Sequence, residues 1–169
     1  MKAFFPGSFN PFTIGHLDIL ARALAAFGNV VVAIGYNENK KDASIDANAA
    51  ILRRLLEGCP GVTVMTYSGL TVDAARREGA GVIVRGFRNA IDAEYERQLA
   101  DTNRMISRDE SLSPIEIETW LIPARPELGC VSSSMVRELS HNGHPIDRYL
   151  PGIALCQRLC AEAIATYRG

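Results

Sequence analysis

The chain has 169 residues, 47% of them hydrophobic and 22% charged, with a formal net charge of −1 at pH 7. This is the composition of an ordinary folded protein, and the length suits one domain, so residues 1–169 read as a single unit. The near-zero charge excludes a global pull toward nucleic acid or membrane, so any anionic ligand must be held by a local cluster. No apolar run reaches the roughly 18 residues of a membrane span, and Met1 to Pro6 is too short for a signal peptide's hydrophobic region, which places the protein in the cytoplasm. The cysteines, Cys59, Cys130, Cys156 and Cys160, include no C-x-x-C pair. Cys156 and Cys160, four apart on an expected helix, read as small buried apolar side chains.

Ala3 to Phe5 reads as a strand ending at Pro6-Gly7. His16 to Phe27 is an expected helix, with Leu17, Leu20, Ala21 and Leu24 on one face and Gly28 as its stop. Val30 to Ile34 is a continuous apolar strand of the kind buried on both faces. A helix over Ala47–Leu56, a strand over Val62–Met65, a helix over Thr71–Glu78 and a strand over Val82–Val84 come next. Then come a helix over Ile91–Arg104, a strand over Ile115–Ile122, a helix over Ser133–Ser140 and a last helix over Ile153–Tyr167. The stretches Asn37–Asn48 and Ser107–Pro114 read as surface loops. Five strands alternating with helices imply a doubly wound α/β domain: a five-stranded parallel sheet of Rossmann-like type with a C-terminal helical segment. Such sheets bind ligands at the carboxyl ends of their strands, where strand order reverses.

The first strand-to-helix loop runs Pro6-Gly7-Ser8-Phe9-Asn10-Pro11-Phe12-Thr13-Ile14-Gly15-His16. Ser8 and Phe9 offer backbone N–H groups, and Gly15 and His16 open a helix whose N-terminal dipole attracts phosphate. A histidine there can donate a hydrogen bond to a phosphate oxygen. Neither the dinucleotide fingerprint nor the P-loop pattern is present. Val82 to Val84 runs into Arg85-Gly86-Phe87-Arg88, whose guanidiniums suit a polyphosphate. Ser132-Ser133-Ser134 places three hydroxyls at a helix start, one for the N-cap and two more than capping needs. His141-Asn142-Gly143-His144 repeats the H-x-G-H string, but at a helix C-terminus, where the dipole is wrong for phosphate.

In this order and spacing, the motifs resemble those of bacterial phosphopantetheine adenylyltransferases, nucleotidyltransferases marked by T/H-x-G-H. The resemblance spans nearly the whole chain. It rests on Pro6 to Pro11, Thr13 to His16, Lys40-Lys41, Ser68-Gly69-Leu70, Arg85 to Arg88, Asp92 to Gln98 and Val131 to Ser134. It implies adenylyl transfer from ATP to 4′-phosphopantetheine, giving dephospho-coenzyme A and pyrophosphate, with Mg²⁺, as the penultimate step of coenzyme A biosynthesis in a cytoplasmic homohexamer. By motif position, Ser8, Phe9, His16, Gly86, Phe87, Arg88, Glu96, Leu128, Gly129, Cys130, Val131, Ser132, Ser133 and Ser134 would contact ATP. Ser8, Lys40, Thr71 and Arg85 would contact the acceptor. His16, Lys40 and Arg88 would stabilise transition-state charge, and no protein ligand to a metal is implied. Glu96 reads either as an adenosine or ribose contact or as a helix-surface ion pair.

Two other readings stay open on the residues alone. One is a related adenylyl- or cytidylyltransferase with another phosphorylated acceptor. The other is a non-catalytic nucleotide-binding module, which would need neither His16 nor the Arg85/Arg88 pair.

Overall fold

A computed structural model describes residues 1–37, 43–108 and 116–168. Its sheet has five strands, all parallel, in the order β3-β2-β1-β4-β5. The strands are β1 (Lys2–Gly7), β2 (Asn29–Tyr36), β3 (Val62–Ser68), β4 (Val82–Phe87) and β5 (Glu118–Pro123). The helices are α1 (Ile14–Phe27), α2 (Ala43–Leu55), α3 (Thr71–Arg77), α4 (Ala90–Ser107), α5 (Ser133–His141) and α6 (Ile153–Arg168).

The period of two along the central strands divides the core. Ala3, Phe5, Val30, Val32, Ile34, Val82 and Val84 pack on one face with α1, α2 and α6. Phe4, Val31, Ala33 and Ile83 point to the other face, against Val72, Ala74 and Ala75 of α3 and Ile106 of α4. Side chains buried on both faces are what a doubly wound parallel sheet requires, and they explain why these strands read as unbroken apolar runs. Cys59, Cys156 and Cys160 are free and buried in the α2–α6 region. Burial pushes the Cys156 thiol up to about 12, and Cys160 rises for the same leading reason. These thiols are core, as expected.

Several boundaries differ from the sequence reading. β4 extends through Arg85, Gly86 and Phe87, so the first arginine lies within the strand. β5-to-β4 pairing draws those polar residues into the ladder, with Arg85 opposite Leu121 and Phe87 opposite Pro123. α2 begins at Ala43, inside the stretch read as a loop, because Ala49 and Leu52 anchor one face in the core. Ser107 is the buried last residue of α4, where its hydroxyl donates to Arg104 O at 3.0 Å. The rest of the Asn37–Asn48 and Ser107–Pro114 readings, and Ile115 of the fifth strand, lie partly outside the described residues.

Strand order reverses between β1 and β4, so the crevice expected of an open α/β sheet opens where those two strands end.

Candidate active site

A cleft of about 450 Å³ occupies that crevice. β1 delivers Pro6 and Gly7 to it, and β4 delivers Arg85, Gly86 and Phe87. The N-termini of α1 and α5 open onto it from the sides, bringing Gly15 and His16, and Ser133 and Ser134. Their helix dipoles make this an electropositive end of two helices.

The first loop is built around a capping box. Thr13, 1% exposed, is the N-cap of α1, and its hydroxyl accepts the His16 N–H at 3.4 Å. In return the Thr13 N–H donates to His16 Nδ1 at 3.0 Å. Histidine thus takes the place that glutamate or glutamine fills in most capping boxes. With Nδ1 accepting from a backbone N–H, the neutral ring carries its proton on Nε2. The ring sits between Phe9 and Phe12, at centroid distances of 5.2 and 5.4 Å. Burial, then Arg88 and Arg85, lower its pKa from 6.5 to about 4. At neutral pH His16 is therefore an uncharged donor, with Nε2–H left for the cleft.

Phe9 has φ of 46°, which costs an L-residue about 1–2 kcal/mol. Burying its ring to 2% exposure against Phe5 and Phe12 offsets that cost. The ring lies so close over Gly7 that a Cβ there would stand 2.8 Å from it. Glycine at position 7 therefore admits the Phe9 ring. Gly86 has a similar reason: an added Cβ would come within 2.9 Å of Ile19, so it sets how closely α1 approaches β4.

The two arginines are held differently. Arg85 makes a forked pair with Glu96, Nε to Oε2 at 2.6 Å and Nη2 to Oε1 at 2.8 Å, and its Nη1 donates to Pro6 O at 3.1 Å. Burial works against this cation, but the bonds and charge of Glu96 outweigh it and its pKa rises. Arg88 uses Nε on Asp92 Oδ2 at 2.7 Å, and its terminal nitrogens have no hydrogen-bond partner among the described residues. At the far wall, Ser132 caps α5 by accepting the Met135 N–H at 3.0 Å. Ser133 donates to Pro11 O at 2.9 Å, and Arg137 bridges Asn10 O and the Ser134 hydroxyl. Asn48 reaches across from α2 to Ser8 O at 2.9 Å.

A cytidylyltransferase-like family model matches residues 4–139, a span that includes the first loop, the arginine turn and most of α5. The chain is 44% identical over 150 residues to a phosphopantetheine adenylyltransferase of Porphyromonas gingivalis, covering 88% of this chain and 93% of that one. It is 42% identical over 151 residues to the Bacteroides thetaiotaomicron phosphopantetheine adenylyltransferase (89% and 95% covered). It is 40% identical over 154 residues to that of Cutibacterium acnes (90% and 93% covered). The chain belongs to the phosphopantetheine adenylyltransferase family.

Of the residues expected from that family, the cleft gathers Ser8, Phe9, His16, Arg85, Gly86, Phe87, Arg88, Glu96, Leu128 and Val131 to Ser134. Lys40 lies outside the described residues. Three expected contacts stand off the cleft wall. Thr71 starts α3 with its hydroxyl 2.9 Å from that of Tyr67, Gly129 closes a short 3-10 turn onto Pro126 O, and Cys130 is exposed between that turn and α5. Of the alternatives for Glu96, the structure displays an ion pair, but an 8%-exposed one inside the cleft wall and not on the helix surface. Asp92 and Tyr95 line the cleft too, although the sequence reading gave neither a role of its own. Asp92 was legible at helical spacing from Arg88 and Glu96. Asn48 and Arg137 were not, because their contacts span 40 and 127 residues.

Proposed function

We propose that this chain transfers the adenylyl group of ATP to 4′-phosphopantetheine, the penultimate step of coenzyme A biosynthesis. A phosphate oxygen of the acceptor attacks the α-phosphorus, the bond to the bridging oxygen breaks, and pyrophosphate leaves with dephospho-coenzyme A formed. The acceptor phosphate is largely ionised at neutral pH, so no general base is required. Catalysis then consists of holding two polyanions in line and stabilising charge as it moves to the leaving group.

The observation that carries this reading is the fixed tautomer of His16 at the mouth of α1. Its Nε2–H is a neutral donor, aimed by the cap, that neither accepts the acceptor's proton nor forms a covalent intermediate. Arg88 supplies the cation, with terminal nitrogens available for the phosphates. The N–H groups of α1 and α5 add to that field. Arg85, already tied to Glu96 and Pro6, offers a rigid edge to the acceptor phosphate. Ser8 and Lys40 complete the acceptor contacts, and Thr71 stands behind them with its hydroxyl 2.9 Å from that of Tyr67.

Enzymes of this family use a divalent cation with the nucleotide. Among the described residues no three carboxylate, histidine or cysteine groups converge on one point. Asp92 and Glu96 are both engaged by arginines. With both carboxylates engaged in this way, Mg²⁺ would be held mainly by ATP phosphate oxygens and would supply neutralising charge for the leaving pyrophosphate. A homohexamer in the cytoplasm completes the reading. No helix of the described residues is long and apolar enough to cross a membrane, and exposed Ile91, Met105 and Trp120 on α4 and β5 offer apolar contact area.

The test is pyrophosphate release from ATP or CTP in the presence of 4′-phosphopantetheine. Release with ATP and formation of dephospho-coenzyme A are expected; no release with ATP removes the acceptor assignment.

A further inference from the structure

Two residues beyond His16, α1 carries an acidic side chain that takes no part in the cleft lining. Asp18 is 13% exposed and receives two cations. Arg125 Nε donates to Oδ1 at 2.7 Å, and Arg22 Nη1 approaches Oδ2 at 3.3 Å from one helical turn away. The same Arg22 nitrogen donates to Pro123 O at 2.6 Å. Between these anchors, the Ala124 N–H donates to Phe87 O at 2.7 Å. The segment 123–125 is thus fastened at three consecutive residues, once to β4 and twice to α1.

This segment leads straight into the site. Ala124 and Leu128 line the cleft, and the chain then reaches Val131 and the Ser132 cap of α5. We propose that Asp18, through Arg125 and Arg22, is a positioning residue that fixes the nucleotide-side rim, residues 123–128, relative to His16. One rigid helix would then carry both the donor for the α-phosphate and the anchor of the rim on the nucleotide side. A misplacement of about 1 Å is enough to impair a reaction that depends on positioning.

The energetics make the role separable from folding. Arg125 is 58% exposed, so its ion pair with Asp18 adds little to stability. Asp18→Asn keeps the shape but removes the charge that draws in both arginines. Arg125→Gln removes the exposed partner and leaves the core untouched.

The strut role of Asp18 rests on the ATP site described above, and the experiment separates the two. Isothermal titration of wild type with ATP, and separately with 4′-phosphopantetheine, is repeated for Asp18→Asn, Arg125→Gln and the double variant, with thermal melting alongside. Each single variant is expected to weaken ATP about fivefold, which corresponds to about 1 kcal/mol, with acceptor affinity and melting temperature unchanged. The double variant should be no weaker than Asp18→Asn alone, because both changes break one strut. Unchanged ATP affinity in the single variants overturns the proposal. So does additive loss in the double variant, or equal loss for both ligands accompanied by a lowered melting temperature. The absence of ATP binding by wild type would instead overturn the nucleotide site itself.

Discussion

The string H/T-x-G-H occurs twice in this chain, at opposite ends of helices. Thr13 to His16 opens α1, while His141 to His144 closes α5. At the first, the histidine joins a capping box, has its tautomer fixed by the Thr13 N–H and lies between two phenylalanines. At the second, Asn142 and Gly143 come after the last turn, Gly143 has φ of 74°, and both histidines are exposed. The local sequences are alike and their surroundings are not. A histidine gains its chemical role from the helix end it sits on and from the groups that orient it.

The largest expected effect separates the two motifs directly. His16→Ala should lower turnover about 10²–10³-fold, by analogy with loss of a preorganised donor, while ATP affinity changes little. Steady-state pyrophosphate release checks this, and retained turnover would remove His16 from the chemistry. Next comes the contrast between the arginines. Arg85→Ala should raise KM for the acceptor and also cost about 3 kcal/mol of stability, because it strands the buried Glu96 carboxylate. Arg88→Ala, whose partner Asp92 is more exposed, should impair turnover with a much smaller change in chemical denaturation.

His16 also gives a pH signature. Its folded pKa, about 4, lies below the unfolded value near 6.5, so the unfolded chain binds more protons between those values. The stability tied to neutral His16 is complete above pH 6.5 and is lost as pH falls toward 4, amounting to about 1–2 kcal/mol by pH 5. Denaturation curves of wild type and His16→Ala from pH 7 to about 4 should therefore converge in the acid range, and NMR should find the Nε2–H tautomer at neutral pH. The smallest effect closes the comparison: His144→Ala should leave turnover and ATP affinity unchanged, and a clear loss would contradict the reading of that motif as a capping loop.

Much of this was legible in the residues. An unbroken apolar run marked β2 as doubly buried, Val82 to Val84 marked the start of β4, and Gly28 stopped α1 where expected. The first loop, the arginine turn and the triple serine all reached one cleft. The strand that absorbed Arg85 was harder to see, because its polar end is made a strand by pairing with β5 and not by its own propensity. The reason for glycine at position 7 was hidden in a similar way: its closest neighbour is the Phe9 ring, brought there by a positive φ that no periodicity announces.

By itself, then, the sequence determined the α/β class, the order of its elements and the places where phosphate chemistry gathers, because periodicity, helix caps and motif spacing are local properties of the chain. The tertiary structure alone decided which proton His16 carries, which arginine has terminal nitrogens without a hydrogen-bond partner among the described residues, and which distant groups Asp18 and Asn48 meet. Those outcomes depend on burial and on contacts between residues far apart in sequence, and both exist only once the sheet has brought β1, β4 and their helices together.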